Sequence, residues 1–274
     1  VGDTMLLEVK EDPNWLDPTI VSEEISFVTE ADMANPGMLE QFIETTANRY
    51  PADRYVLVLW GHGAGWRGVC PDGYDLLTLP ELRLGLEGAT STLGRTLDMV
   101  IVDSCAEGTL ECMYEIRDSA DYLVASEMNV QADGLPYEDV LAALAADLHQ
   151  SPEDFGKAVV DAYMDWALYG SYYSATMALF DLSAVGGFID DLGALSLQGY
   201  RYDRIFGDRL LDIATDAESY DDDWSFDAGD FLGGLRRGDL PLDVYELVLP
   251  AIMSYQRTIA YFRSYSNLNA ADGL

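Results

Sequence analysis

One of only two histidines in the 274-residue chain closes an apolar run in "YVLVLWGHGAGW" (55–66), and glycines flank it on both sides. Nothing beside His62 would bury it. A second apolar run, "LDMVIVDS" (97–104), ends immediately before Cys105. Open parallel sheets bind ligands beyond the carboxyl ends of their strands. Two such strands would therefore present the imidazole and the thiol at one rim. The chemistry open to the pair is attack by a thiolate, with a neighbouring imidazole holding or delivering the proton. The glycines let a peptide backbone come close, and N–H groups in that stretch could face the oxygen of a tetrahedral intermediate. Cys105 also precedes a predicted helix at 107–118, whose unpaired N–H groups and dipole would favour the thiolate. Each residue has a plainer reading: His62 as a hydrogen-bonded turn residue, and Cys105 as a small buried hydrophobe.

The elements that must position these residues follow from periodicity. Apolar runs at 54–60, 97–104, 121–126 and 173–182 are predicted strands, and the run at 54–60 reads as buried on both faces. Predicted helices cover 36–49, the stretch "TLPELRLGLEGA", 107–118, 135–148 and 151–168. In the first, Leu39, Phe42, Ile43 and Thr46 share one face. Thr78 and Glu81 form a capping box, while Ser151 with Pro152 opens the last of these helices. Strands alternating with helices predict an α/β three-layer sandwich with a mostly parallel sheet over residues 1–182. Residues 183–274 read as mainly helical, including the aromatic stretch "DVYELVLPAIMSYQRTIAYFRSY", taken as core packing.

Composition narrows the partners. With 15 basic and 49 acidic residues the formal charge is −34, so nucleic acid and anionic lipid are poor partners. The acid is spread along the chain, as on a solvated surface, and the same field would attract cationic substrates. No apolar run is long enough to cross a membrane. The opening "VGDTMLLEVKEDP" carries neither an initiator Met nor a basic, apolar signal segment, so the compartment is not legible. Three cysteines are too few and too irregular for a disulfide framework or a CxxC metal site. Cys112 reads as core, and Cys70, in "CPDG", has nothing beside it to activate it. "GHGAGW" fails as a phosphate loop, because Trp66 takes the last position of the pattern and no Lys follows.

The segments "LVLWGHGAGWRGV", "LTLPELR", "DMVIVDSCAEGTLECMYEIRDSADYLVASE" and "DGLPYEDVL", in that order, resemble the clostripain-like cysteine peptidases of the caspase-like group. The likeness is dense from about Ala31 to Leu141 and weaker beyond. It implies a caspase-like sheet and peptide-bond hydrolysis through an acyl-enzyme. His62 in "WGHG" would be the catalytic histidine and Cys105 in "DSC" the nucleophile. The backbone N–H groups of Gly63 and Cys105 would form the oxyanion hole. It further implies cleavage after Arg or Lys, with Asp103 and Asp133 binding the basic side chain. Without the resemblance, Asp103 reads as a helix cap and Asp133 as a turn residue.

Some relatives cut themselves between His and Cys. Arg67, Arg83 and Arg95 fall in that interval, and Arg95, in "GRT", reads as the most loop-like. Some depend on calcium; "DDDW" (221–224) is an acidic candidate without an EF-hand pattern, and no cofactor is required by the sequence. The resemblance also implies a further strand–helix unit at the start and an apolar strand at the end. Neither is legible, so the chain reads as truncated. Ala106-Glu107 replaces the usual Leu-Met after the cysteine, and a carboxylate so close would oppose thiolate formation. This leaves two competing readings: a peptidase-like binding domain without activity, and a Cys–His acyl hydrolase acting on small esters.

Overall fold

The computed structural model describes residues 4–10, 21–28, 30–170, 174–219 and 225–266. An antiparallel pair, β1 (Thr4–Glu8) and β2 (Glu23–Val28), makes its own small sheet. In α1 (Pro36–Arg49) the Asn35 side chain caps the first turn by accepting from the Gly37 N–H at 2.8 Å. β3 (Val56–Trp60) runs through the His62 loop into a hairpin of β4 (Gly68–Asp72) and β5 (Asp75–Thr78). α2 (Leu79–Leu93) opens on the expected capping pair: the Glu81 carboxylate accepts from the Thr78 N–H at 3.1 Å and from its hydroxyl at 2.6 Å. Then come β6 (Leu97–Asp103), α3 (Leu110–Ile116), β7 (Ala120–Ala125), α4 (Tyr137–Ala146), α5 (Pro152–Tyr169) and β8 (Ser174–Asp181). Four helices follow, α6 (Val185–Tyr200), α7 (Asp203–Asp216), α8 (Ala228–Arg237) and α9 (Leu242–Thr258), and the last strand is β9 (Ile259–Ser266).

The main sheet has the order β3-β6-β7-β8-β9. β3, β6 and β7 are parallel neighbours, while β8 runs against β7 and β9 against β8. All strands but β8 therefore point the same way. Helices cover both faces. Val100 and Val102 of β6 face a core shared with α1, α2 and α3, built on Leu82, Leu86, Cys112 and Ile116. Met99 and Ile101 face the opposite core, where Phe155, Val159 and Tyr163 of α5 pack. Burial of both faces explains why residues 99–102 of β6 read as an unbroken apolar run. A third core joins α6, α8 and α9 through Phe188, Leu195, Leu232, Leu235 and Val248.

Several expectations are corrected. β3 is an edge strand among the described residues: Leu57 and Leu59 are buried, but Val56, Val58 and Trp60 are exposed, Trp60 at 63%. Its apolar run is not buried on both faces, because the α4–α5 layer packs over β6, β7 and β8 and does not reach it. In α1 the buried pair is Ile43 and Ala47, and Phe42 is exposed. The C-terminal region is mainly helical, but the stretch read as helical to Tyr265 leaves its helix at Thr258. "IAYFRSYS" leaves α9 and pairs with β8 from Phe180↔Ile259 to Ser174↔Ser266. It is an apolar final strand, which the sequence does not announce, and it ties the region after residue 183 into the main sheet. Arg263 fastens this strand to α5 through Asp161 and Asp165, each at 2.8 Å.

Candidate active site

The parallel ladder between β3 and β6 sets Trp60 opposite Asp103. His62 and Cys105 each lie two residues further on, at the same rim. The ladder's last contact, Gly61 N–H to the Asp103 carbonyl at 3.4 Å, carries the pairing past the strand ends. From there the His62 loop folds onto the cysteine turn. A Cβ placed on Gly63 would lie 2.1 Å from the Cys105 carbonyl oxygen and 3.0 Å from Ser104 Oγ. Only a glycine allows this approach. The other side of the loop is held by β4: the Ala64 N–H donates to the Gly68 carbonyl at 2.9 Å, and the Cys70 N–H to the His62 carbonyl at 3.0 Å. This pattern, around the bridge between Gly63 and Val69, leaves the Gly63 N–H out of its bonds. Among the described residues neither the Gly63 nor the Cys105 N–H donates a hydrogen bond.

The Cys105 thiol is half-buried and donates a hydrogen bond to the Val130 carbonyl at 3.7 Å. His62 is exposed. The expected helix at 107–118 begins only at Leu110, with Thr109 as its N-cap. The reason is local. The Ala106 N–H donates to the Met128 carbonyl at 3.0 Å and the Gly108 N–H to the Ser126 carbonyl at 2.8 Å. These bonds hold residues 106–108 beside the segment after β7 and out of a helical turn. Cys105 therefore lies outside the first turn of α3, where a helix dipole acts.

Asp103 is not a helix cap. Its carboxylate is 2% exposed, and Oδ2 accepts from the Leu135 N–H at 2.9 Å and the Tyr137 hydroxyl at 2.7 Å. Burial, with Asp103 adding to it, raises the Tyr137 hydroxyl above its ordinary range. Oδ1 of Asp103 is buried without a partner. The turn it holds carries Asp133, which is exposed, next to Gly134. Gly134 adopts φ +71° and packs its backbone on Asp103 and Trp60. Asp103 is thus bonded beside the turn that carries Asp133. Arg95 lies in the short connection between α2 and β6, its guanidinium bonded to the Asp53 carbonyl at 2.6 Å and to Asp98 at 2.8 Å. "DDDW" lies outside the described residues, among which no cluster of His, Cys, Asp and Glu could hold a metal ion. No described helix is long and apolar enough to cross a membrane.

Three features were not legible in the sequence. Glu107, expected beside the thiol, is fully buried, and its Oε1 accepts from the N–H groups of Ala64 and Gly65, both at 3.0 Å. Burial pushes its carboxyl up to about 8, against the two hydrogen bonds, which lower it. Glu107 therefore holds its proton near neutrality and does not place a full charge beside Cys105. Beside Gly63 and Cys105 opens a cleft of about 490 Å³, which also borders Glu127, Asp227 and Arg67. Burial, with Asp227 and Glu218 next, pushes the Glu127 carboxyl up to about 8. Cys70 is half-buried, and burial raises its thiol above the ordinary range. Cys112 is buried, as expected.

A three-layer sandwich whose sheet rim brings a glycine-bounded histidine loop onto a cysteine turn is a caspase-like domain. The chain belongs to the Clostripain family, whose profile matches residues 2–201. Clostripain of Hathewaya histolytica is 31% identical over 173 residues, covering 56% of this chain and 33% of that protein, so the chain spans about a third of this relative's length. A secreted C11 cysteine protease from Bacteroides thetaiotaomicron, solved with an irreversible peptide inhibitor, superposes with a TM-score of 0.70 at 16% identity, covering 96% of this chain and 72% of that one. An inactive zymogen C11 protease from Parabacteroides distasonis gives a TM-score of 0.62 at 19% identity over 94% and 68% of the two chains. At these identities the solved structures bear on the fold.

Proposed function

We propose that this domain is a cysteine endopeptidase that cleaves after Arg or Lys through Cys105 and His62. The observation that carries this reading is the seating of Gly63 on the Cys105 carbonyl, which joins the two loops at one rim. The thiol proton passes to His62, and the thiolate attacks the scissile carbonyl. The oxyanion is met by the undonated N–H groups of Gly63 and Cys105. His62 then protonates the departing amine, and the acyl-enzyme is hydrolysed by a water that gives its proton to the same ring. The orphan Oδ1 of Asp103 and the exposed Asp133 supply the acceptors that a guanidinium or ammonium needs.

Membership of the Clostripain family supports the chemistry. The competing reading, an inactive binding domain, rests on Ala106-Glu107; the raised, buried Glu107 carboxyl favours the peptidase over it. An Arg-terminated fluorogenic peptide tests the reading. Turnover is expected, abolished by alkylation and by Cys105→Ala or His62→Ala and retained by Cys70→Ser. Turnover that survives Cys105→Ala refutes the nucleophile. Equal rates on Arg and Leu peptides refute the specificity. Hydrolysis of esters without peptides refutes the endopeptidase.

A further inference from the structure

We infer that Glu107 is a positioning residue that fixes the His62 loop against the nucleophile turn. The inference rests on the peptidase reading and adds a residue to it. Its basis is one oxygen: Oε1 of Glu107 takes the Gly65 N–H and shares the Ala64 N–H with the Gly68 carbonyl, at the two residues that follow His62-Gly63. The same oxygen would lie 2.8 Å from a Cβ on Gly63, so the carboxyl sits directly beneath the loop. Apart from the Gly61–Asp103 contact, it is the hydrogen-bonded link between the histidine loop and the cysteine turn among the described residues.

The side chain is aimed by its neighbours. Ala106 is held at φ +60°, a left-handed conformation costly for a residue with a Cβ, and the flanking N–H groups of Ala106 and Gly108 are pinned to Met128 and Ser126. The chain thereby turns the Glu107 carboxyl away from the segment after β7 and toward the loop. Oε2 is left buried without a partner. An unsatisfied buried oxygen beside a strained residue is a cost that packing alone does not explain. Leu or Met at this position would fill the space without it. What an apolar side chain does not provide is an acceptor for two N–H groups, and so a fixed height for the imidazole above the thiol.

Glu107→Leu and Glu107→Gln separate this role from a structural one. Leu keeps the bulk and removes the acceptor, while Gln keeps an oxygen at the same place. With fold monitored by thermal melting, Leu is expected to lower kcat about 10- to 100-fold, the loss typical of a catalytic group displaced by about 1 Å, with KM within about twofold. Gln is expected to stay within about threefold of the wild type. A second readout needs no turnover: iodoacetamide alkylation of Cys105 followed by peptide mass spectrometry, with His62→Ala as reference. Glu107→Leu should fall to the rate of His62→Ala, and Glu107→Gln should keep the wild-type rate. Wild-type alkylation in a folded Leu variant overturns the inference, as does equal loss in Leu and Gln or a loss carried by KM. If the Leu variant unfolds, the Gln variant decides: impaired alkylation in folded Glu107→Gln overturns the inference, and retained alkylation upholds it. A wild type that hydrolyses no peptide, yet alkylates faster than His62→Ala, sinks the peptidase reading and leaves the positioning role standing.

Discussion

Raising the pH from about 5 to about 8 is expected to destabilise the fold through Glu107 and Glu127. Both carboxyls have an ordinary value of 4.5, and burial lifts each to about 8. Between those values the folded protein keeps two protons that the unfolded chain releases. The stability tied to each proton is therefore full below 4.5, declines as pH rises, and is gone above about 8. Each retained proton is worth about 1.4 kcal/mol per pH unit. From pH 5 to 8 the loss for the fully buried Glu107 is about 3–4 kcal/mol, equivalent to roughly 7–14 °C of melting temperature in a domain of this size; it is smaller for Glu127, which is only partly buried and borders the cleft. Glu81 and Asp243 are shifted down by their hydrogen bonds, so they act below the ordinary carboxylate range and do not offset this slope. The assay is urea unfolding at fixed ionic strength in half-unit pH steps, on the wild type, Glu107→Gln and Glu127→Gln. Glu107→Gln should remove the larger share of the slope and Glu127→Gln a smaller one, with the raised Asp227 beside Glu127 keeping part of the rest. Parallel curves for wild type and Glu107→Gln, or a wild type that gains stability with pH, would refute the assignment of buried protons.

Gly63→Ala should lower kcat/KM by more than about 100-fold, because the new methyl meets the Cys105 carbonyl and lifts the His62 loop; steady-state kinetics at matched folded fraction checks this. Asp103→Ala should cost about 2–4 kcal/mol in urea, since it strips a buried acceptor from the Leu135 N–H and the Tyr137 hydroxyl, and Asp103→Asn should cost less. The net charge of −34 should steer cationic substrates, so kcat/KM for an Arg peptide should fall as salt rises. An unchanged constant, with the fold intact by circular dichroism, would exclude steering. Arg263→Met should cost less than about 1 kcal/mol, because both its ion pairs are open to solvent and the β8–β9 ladder carries the strand.

How far the sequence speaks depends on the range of the interaction concerned. β6 and β7 are legible because burial on both faces produces continuous apolar runs. The Thr78–Glu81 cap and the Ser151 cap are legible because they are made within three residues. The placement of His62 and Cys105 at one rim follows from parallel pairing alone. β9 is not legible, because "IAYFRSYS" continues an apolar, aromatic helix without a turn signal, and only pairing with β8 makes it a strand. The shortened α3 is hidden for a similar reason: bonds to Ser126 and Met128, distant in the chain, compete for the N–H groups of 106 and 108. Glu107 looked like an obstacle to the thiolate because spacing gives its distance along the chain and not the direction of its side chain.

The pairing of β8 with β9 has a consequence for synthesis. Phe180 must wait for Ile259, about eighty residues downstream. At roughly 5–20 residues per second, that leaves one edge of an apolar strand unpaired on the ribosome for about 4–16 seconds. During this interval His62 and Cys105 have already emerged, but the sheet that would hold them has an open flank. Nascent chains stalled before residue 259 should bind chaperones and be digested readily, whereas chains stalled well beyond β9 should resist. Maturation of the site would then be timed by its most distant strand.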